Sequence, residues 1–370
     1  MSADGEDEPE SRRLPLRERH QAAGARFTAF AGWEMPLQYT GIIAEHQAVR
    51  SSAGVFDVSH LGRVLVQGPD AGRRLRSVTT YDVLQIRPGE AHYSLYCSES
   101  GGIIDDVFVY RLAEERWLVV QNAANHERGL ALLADACGAA AEDVTQSTVM
   151  LAVQGPDARA ALERVLGPSF QELRPRRCAD FPWRDGTVLA ARTGYTGEDG
   201  AECTGESALA GALWDALLAA GVTPAGLGTR DTLRLEAALP LHGQDIDLST
   251  NPYEAGLGWV VSMDDDQTFT GREELARLAA QAPARRLSHL RMDGGGVPRR
   301  GYPVVDLNAT GEGPLATLTS GAFSPTLRTG IGMAYLPVAL AEPGTPLAVE
   351  IHGRAVPAEV VPRPFYRRNV

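Results

Sequence analysis

Two neighbouring acids are the first residues whose type and spacing could carry chemistry. Asp105 and Asp106 follow a pair of glycines in GGIIDD and precede the apolar stretch VFVY, so they stand at the entry to a predicted strand. Paired acids push each other's pKa values apart, so one of the two could act as an acid or a base. The alternative is an ordinary turn before a strand, and the spacing alone favours that simpler interpretation.

A second group of carboxylates lies in a glycine-rich segment. Residues 194–202 read GYTGEDGAE, with three acids, an aromatic Tyr195 and no basic residue, so the segment would repel phosphate. A carboxylate such as Glu202 instead suits a planar heterocycle that presents two N–H donors on an N–C–N edge, as a pterin or a guanine does. A hairpin turn with exposed acids remains the alternative. Arg230 and His60 are weaker candidates, since a surface ion pair and a satisfied structural histidine explain them more simply.

Composition excludes several kinds of site. The 370 residues include no lysine, so all 35 basic residues are arginines. Schiff-base enzymes, pyridoxal-phosphate enzymes, P-loop NTPases and kinase-type ATP sites need a lysine in their usual form. The net charge of -12 argues against binding to nucleic acid or to an anionic membrane. The eight histidines show no HExxH motif and no Cys/His pair at ligand spacing, so we expect no metal.

The remaining composition bears on compartment and termini. Four cysteines without a CxxC pair suit a reducing cytoplasm, and no apolar stretch approaches the eighteen residues of a membrane span. We therefore expect a soluble cytoplasmic protein. Residues 1–12 predict a disordered acidic leader. The C-terminal arginines Arg363, Arg367 and Arg368 belong either to a frayed end or to an arm that returns to a ligand.

An internal repeat predicts how the candidate residues are positioned. Residues 64–75 read VLVQGPDAGRRL and residues 151–162 read LAVQGPDARAAL, and each predicts a strand, a Gly-Pro-Asp turn and a helix start. The aspartate of each copy could cap the helix amides that follow. Two similar α+β subdomains would explain the repeat. The alternative is that a common strand-to-helix junction arose twice.

The predicted secondary structure divides the chain into an N-terminal part with strands and helices and a C-terminal part with strands. Helices are predicted at 126–138, 208–221 and 229–241, with a linker helix at 267–286. Beyond residue 285 short alternating segments broken by Gly and Pro predict an antiparallel β-barrel or sandwich. We therefore predict an α+β chain with a folate-type or other small-molecule region at 13–275 and a C-terminal β-barrel domain at 285–370.

The motifs together resemble a known family, the aminomethyltransferases (T-proteins) of the glycine cleavage system. The resemblance runs from about residue 13 to residue 368. Its motifs are, in order, FAGWEMPLQY at 30–39, FDVSHLG at 56–62, GGIIDD at 101–106, NAAN at 122–125, RTGYTGEDGAE at 192–202, TRDTLRLEA at 229–237, LHGQDID at 241–247, NPYEAGLGW at 251–259 and TSGAFSPTL at 319–327.

The resemblance implies a fold and a reaction. It implies three domains around a central folate cleft, two similar α+β subdomains and a C-terminal barrel-like domain. It also implies that an aminomethyl group on the dihydrolipoyl arm of H-protein is released as ammonia, while its one-carbon unit passes to the co-substrate tetrahydrofolate to give 5,10-methylenetetrahydrofolate. We expect a monomer that binds folate and lipoylated H-protein.

Individual roles follow from matching positions. Asp106 matches the family's essential aspartate and would orient the reacting nitrogens of folate and stabilise a cationic species. Glu202 matches the pterin-binding glutamate, and Tyr93 and Tyr195 match aromatic wall positions. Asn122 matches a polar pocket position, and Arg230 matches a folate-contacting arginine.

A few positions depart from the family pattern. Leu61 stands where methionine is usual, His242 stands where an aromatic residue is usual, and CTGES at 203–207 is an unusual continuation. These departures leave open the alternative of a folate-dependent demethylase or one-carbon transferase with a small free donor. A non-catalytic folate-binding paralogue is the alternative from another class, and the presence of Asp106, Glu202 and Arg230 argues against it.

Overall fold

The computed structural model describes residues 11–264, 266–307 and 313–368. Most of the predicted acidic leader, residues 1–10, lies outside the described residues. Within the described ranges no helix combines the length and the apolar character needed to cross a membrane.

The larger, N-terminal part of the chain mixes strands and helices. Its strands are β1 (Arg12–Arg13), β2 (Arg26–Phe30), β3 (Trp33–Gln38), β4 (Gly54–Asp57), β5 (Gly62–Gln67), β6 (Glu90–Cys97), β7 (Ile103–Ala113), β8 (Arg116–Gln121), β9 (Ala141–Asp143), β10 (Thr148–Gln154), β11 (Cys178–Trp183), β12 (Gly186–Ala191), β13 (Gly200–Glu206) and β14 (Thr223–Pro224). Its α-helices are α1 (Arg17–Ala22), α2 (Ile42–Ser51), α3 (Ala71–Arg76), α4 (His126–Cys137), α5 (Ala158–Leu166), α6 (Ala210–Ala219) and α7 (Leu227–Glu236).

Two sheets with matching strand order form the centre of this part. One has the order β6-β7-β8-β5-β9, and the other has the order β11-β12-β13-β10-β4-β14. In each sheet an antiparallel three-strand meander lies beside the strand that carries the QGPD turn. The outer neighbours are exchanged, because β4 pairs with β10 and β9 pairs with β5. The two predicted α+β subdomains are therefore present and interlocked.

Period-two alternation explains how the sheets pack. On β8, Trp117 and Val119 face a core shared with α3 and α4, whereas Leu118 and Val120 face the other sheet. Helices α5 and α6 cover the outer face of the second sheet around the fully buried Trp214. The two inner faces meet each other, and the candidate site lies at their edge.

The predicted capping role of the QGPD aspartates is wrong. Neither Asp70 nor Asp157 makes a side-chain hydrogen bond to the amides of the helix that follows. A capping residue needs an extended backbone. Asp70 instead has a left-handed backbone with φ of 64°, and Asp157 already has a right-handed helical turn.

Helix α7 is shorter than the predicted helix at 229–241. It ends at Glu236, and Ala238 adopts a left-handed φ of 56°. Pro240 also disfavours helical backbone in the residue before it. The chain at 237–247 is thereby released as a loop, which reaches the candidate site. The predicted linker helix is likewise shorter.

The C-terminal part is a closed antiparallel barrel, as predicted. After α8 (Arg272–Ala279), the barrel is formed by β15 (Arg285–Met292), β16 (Pro303–Val305), β17 (Ala316–Ser324), β18 (Thr329–Pro337), β19 (Pro346–Ile351) and β20 (Arg354–Val361). The strands close in the order β15-β18-β17-β16-β19-β20 around Leu290, Leu318 and Leu336.

A buried carboxylate joins the barrel to the rest of the chain. Glu236 at the end of α7 accepts hydrogen bonds from Arg50 on α2 at 2.8 Å and from the backbone of Thr326 on the barrel at 3.1 Å. His46 lies 3.2 Å from the same carboxylate. Burial alone would raise the pKa of Glu236, but the hydrogen bond and charge of His46, with Ser324 and Arg50, lower it to about 2.

We expect Glu236→Gln to lower the free energy of unfolding by roughly 3 kcal/mol at neutral pH, because Arg50 and His46 lose a buried counter-charge. The pKa of Glu236 is lower in the folded state than in the unfolded state, so its ionised carboxylate stabilises the fold above the unfolded pKa near 4. This stabilisation is lost as the pH falls towards the folded pKa. The gap between variant and wild type should therefore narrow between about pH 5 and pH 2. Thermal unfolding against pH measures this.

The matched control is Glu342→Gln, whose exposed side chain pairs with Arg286 at 3.5 Å. A surface pair of this kind contributes about 0–1 kcal/mol. Equal unfolding temperatures for Glu236→Gln and the control would contradict the assignment.

Candidate active site

A cavity of about 640 Å³ opens where the two sheets, the 237–247 loop and the C-terminal tail meet. All six residues predicted for the site line it. They are Tyr93 on β6, Asp106 on β7, Asn122 after β8, Tyr195 before β13, Glu202 on β13 and Arg230 on α7. The fold therefore gathers side chains that are up to 137 positions apart (230 − 93) around one space.

Both acids of GGIIDD lie within β7, so the alternative of a turn before the strand is wrong. Asp105 is fully buried, and its neighbour Asp106 lines the cavity. The preceding glycine is required by close packing, since a Cβ on Gly102 would lie 2.1 Å from the carbonyl oxygen of Leu248. The 247–250 segment is thereby held against the start of β7.

Two neighbouring side chains hold Asp106. Its Oδ2 accepts a hydrogen bond from the Tyr93 hydroxyl at 2.9 Å, and its Oδ1 accepts one from Asn122 Nδ2 at 2.7 Å. Burial raises the pKa of Asp106, and the hydrogen bonds from these two donors oppose that rise only in part. Asp106 is therefore a carboxyl group that can hold a proton more readily than a surface aspartate.

Asp105 lies behind Asp106 and is held by amides. It accepts from the backbone N–H of Asn122 at 3.1 Å, from Asn122 Nδ2 at 2.8 Å and from Asn125 Nδ2 at 2.7 Å. Burial raises the pKa of Asp105 well above its usual range, and the charge of Asp106 raises it further. The Asn122 amide contacts both acids and links them into one unit.

Glu202 forms another polar point of the cavity. It is only 9% exposed, and its Oε2 accepts from the hydroxyls of Tyr110 at 3.1 Å and Thr193 at 2.5 Å. Its Oε1 accepts no hydrogen bond from the described residues. The alternative of a hairpin turn with three exposed acids is wrong, because Glu198 and Asp199 pair with Arg50 and Arg192.

Arg230 is a guanidinium without a carboxylate partner in the described part of the chain. It lies 4.7 Å from the ring of Tyr195 and makes no hydrogen bond or ion pair with any described residue. Burial lowers the pKa of Arg230. The simpler interpretation as a surface ion pair is wrong, because the neighbouring Asp231 pairs with Arg234 instead. Tyr195 itself is held by a hydrogen bond from its hydroxyl to the carbonyl of Pro240.

His60 does not behave as a satisfied structural histidine. It is buried and lines the cavity, and its Nδ1 has no hydrogen-bond partner among the described residues. Burial, followed by the charge of Arg230, lowers the pKa of His60 to about 3. The ring therefore stays neutral at physiological pH.

Further lining residues come from segments that the sequence analysis named without giving these residues a firm role. Trp259 is 58% exposed and stacks on Tyr93 with ring centroids 6.0 Å apart. Arg363 also lines the cavity, because the tail packs back on the body through a hydrogen bond from the Tyr366 amide to Glu236. The described part of the tail is thus a returning arm. Asn125 lay within the NAAN motif, which was the available clue to its place.

Comparisons with known proteins agree with this geometry. The family model of the GCVT N-terminal domain matches residues 16–265, and that of the glycine cleavage T-protein C-terminal barrel domain matches residues 285–367. The chain belongs to the glycine cleavage T-protein family. The expected fold class, with its C-terminal barrel, is confirmed.

Relatives of this T-protein family member are similar over almost their whole length. An aminomethyltransferase of Synechococcus sp. (strain CC9311) is 45% identical, with 96% of this chain and 98% of the relative covered. An aminomethyltransferase of Rubrobacter xylanophilus is 45% identical, with 97% and 95% covered. The crystal structure of aminomethyltransferase T of the glycine cleavage system from Bartonella henselae superimposes with a TM-score of 0.89 at 36% identity, covering 96% of this chain and 98% of that one.

The acid pair generates a prediction for titration. In protein labelled with carboxyl-¹³C aspartate, one buried aspartate should titrate well above the usual value near 4, and Asp105→Asn should remove that signal. In Asp106→Asn the pKa of Asp105 should fall, because the neighbouring negative charge is gone. NMR titration measures both effects. If every aspartate titrated at its usual value, the raised pKa would be refuted.

Proposed function

We propose that this T-protein family member is the aminomethyltransferase of glycine cleavage. It takes the one-carbon unit from the aminomethylated lipoyl arm of H-protein and passes it to tetrahydrofolate, yielding 5,10-methylenetetrahydrofolate, ammonia and dihydrolipoyl H-protein. The observation that carries the proposal is that Asp106, held by Tyr93 and Asn122, lines the same cavity as Glu202, whose Oε1 accepts no hydrogen bond from the described residues.

The residues around the cavity fit a folate. Glu202 offers a carboxylate oxygen to the N–C–N edge of a pterin, and the same oxygen has no competing partner among the described side chains. Tyr110 and Thr193 orient that carboxylate by donating to its other oxygen. The volume of about 640 Å³ lies in the range of cofactor pockets.

Two exposed arginines that line the cavity suit the acidic tail of a folate. Arg363 is one of them, and its side chain donates only to the Gly256 carbonyl at 3.2 Å among the described residues. Arg176 also lines the cavity and is exposed. Guanidinium groups pair with carboxylates in a forked geometry, so these two residues suit glutamyl carboxylates. Trp259 adds a flat ring to the cavity lining.

Asp106 is the proposed catalytic residue. When bound, tetrahydrofolate supplies the nitrogens that accept the one-carbon unit. Asp106 lies in a half-buried, hydrogen-bonded position at the cavity wall, where a carboxylate strongly stabilises positive charge that develops in front of it. Because burial raises its pKa, the same group can also hold or release a proton as ammonia leaves. The Tyr93 and Asn122 donors keep its two oxygens in place.

The setting of the protein follows the same proposal. We place it in the cytoplasm, since its four cysteines are free and buried, as a reducing compartment allows. The proposal also takes the protein to act as a monomer. Docking of an acidic H-protein would depend on arginines, because the chain has no lysine. We assign no metal to the reaction.

Turnover should depend on Asp106. We expect Asp106→Asn to keep tetrahydrofolate affinity within about threefold of wild type and to lower kcat by about 10²–10³, because the developing charge loses its counter-charge. The assay is formation of 5,10-methylenetetrahydrofolate from tetrahydrofolate and aminomethyl-loaded H-protein. The control is Asp180→Asn, an exposed position on β11 that should turn over normally. Normal turnover by Asp106→Asn would refute its catalytic role.

Binding should depend on Glu202. We expect Glu202→Gln to weaken tetrahydrofolate binding by about 30–1000-fold, equivalent to roughly 2–4 kcal/mol, because ring donors lose their carboxylate partner. Calorimetric titration measures it. Glu206→Gln is the matched control, since Glu206 lies exposed at the end of the same strand. Equal affinities in the two variants would place the pterin elsewhere.

The donor distinguishes the proposal from its alternatives. Product that forms only with loaded H-protein supports glycine cleavage. Product that forms from a free methylated amine or sulfonium compound would indicate a demethylase instead. Binding of tetrahydrofolate without transfer from any donor would indicate a non-catalytic folate-binding protein.

A further inference from the structure

His242 is a lining residue of the cavity whose two ring nitrogens are both hydrogen bonded. Nε2 lies 3.2 Å from the carbonyl oxygen of Ile103, and Nδ1 lies 2.9 Å from Nδ2 of Asn125. A carbonyl oxygen can only accept a hydrogen bond, so Nε2 carries the proton. Nδ1 is therefore the acceptor for one N–H of the Asn125 amide.

The second N–H of Asn125 points at the buried acid. Asn125 Nδ2 lies 2.7 Å from Oδ1 of Asp105, which the Asn122 amide in turn links to Asp106. A continuous hydrogen-bonded path thus leads from His242 through Asn125 and Asp105 to the residue proposed to be catalytic. Both protons of the Asn125 amide are used, so its orientation is determined by its two acceptors.

We propose that His242 is a positioning residue for this acid pair, which holds the Asn125 amide in the orientation that donates to Asp105. This inference rests on the proposed function. His242 does this only as a neutral ring, because a proton on Nδ1 would face the N–H of Asn125. The amide would then have to rotate and turn its oxygen towards both His242 and Asp105. An amide oxygen beside Asp105 is tolerated only when that acid is protonated.

The loop that carries His242 is firmly anchored. Asp245 accepts from Arg234 at 2.7 Å and from Ser320 on the barrel at 2.9 Å, and the Tyr335 hydroxyl donates to the Asp245 carbonyl at 2.8 Å. The position of the His242 ring is therefore fixed by α7 and the barrel, which hold its loop, and by the start of β7, which accepts its Nε2 proton. A side chain held in this way can position a neighbour without moving itself.

The charged and titratable groups that surround this path lie on several elements. Asp105 and Asp106 lie on β7, Tyr93 lies on β6, and Tyr195 faces Asp106 from before β13. The Arg234–Asp245 ion pair joins α7 to the loop that carries His242. Loss of the His242 acceptor should act chiefly on Asp105, because Asn125 bonds directly to both.

The test compares variants of His242. His242→Phe keeps a flat ring and removes the acceptor, so we expect kcat to fall by about 10-fold with the KM for tetrahydrofolate within about twofold of wild type. The acidic limb of the kcat profile should move to higher pH, because Asp105 loses a donor that favours its ionised form. His242→Asn, whose amide oxygen occupies the Nδ1 position, should restore most of kcat. His352→Asn, which removes an exposed barrel histidine, is the control.

Titration of the substrate-free protein tests the same inference without turnover. NMR of carboxyl-¹³C aspartate should show a higher pKa for Asp105 in His242→Phe than in wild type, with His242→Asn in between. This result stands even if the protein transfers no one-carbon unit, so failure of the proposed function is distinguished from failure of the inference. If the Phe variant does not fold, His242→Gln, which offers nothing at the Nδ1 position, takes its place.

Two results would overturn the inference. An unchanged Asp105 titration in the acceptor-free variant would show that His242 does not orient Asn125. A change in KM alone, with kcat and its pH profile intact, would make His242 a substrate contact and not a positioning residue.

Discussion

The site depends on holding two neighbouring acids side by side, Asp105 fully buried and Asp106 half-buried at the cavity wall. The two acids repel each other and have lost much of their contact with water, so each needs donors that the strand itself cannot provide. Asn122 comes from the end of β8, Tyr93 from β6 and Asn125 from the turn that follows β8. The three segments must be correctly packed for the acids to be tolerated, which makes the local fold and the site a single structural unit.

The exchanged strands of the two sheets make this packing possible. Because β4 pairs with β10 and β9 pairs with β5, neither sheet is complete without a strand from the other half of the chain. The inner faces are thereby pressed together, and Asp106 from one sheet and Glu202 from the other line the same cavity. Glu202, the carboxylate suited to a pterin, and Asp106, the carboxylate suited to catalysis, consequently line one cavity.

Much of the site could be predicted because its residues lie in long motifs. Asp106, Glu202 and Arg230 each belong to a segment whose order along the chain resembles the T-protein family, and all three line the cavity. Membership of a motif did not by itself assign a role to a residue. His60 in FDVSHLG was expected to be a satisfied structural histidine, yet its Nδ1 lacks a partner among the described residues. Trp259 at the end of NPYEAGLGW received no role, because its stacking on Tyr93 depends on the approach of a distant segment.

The sequence by itself determined the strands, most helices, the C-terminal barrel and the absence of lysine chemistry, because periodicity and composition are local properties of the chain. The resemblance already singled out Glu202 among the three acids near Tyr195, but only the tertiary structure shows that Glu198 and Asp199 pair with Arg50 and Arg192 and so leave Glu202 to the cavity. It likewise decided that His242 meets Asn125, 117 residues away. These contacts join residues that come together only when the chain packs, so they cannot be predicted from the spacing of residues along the sequence.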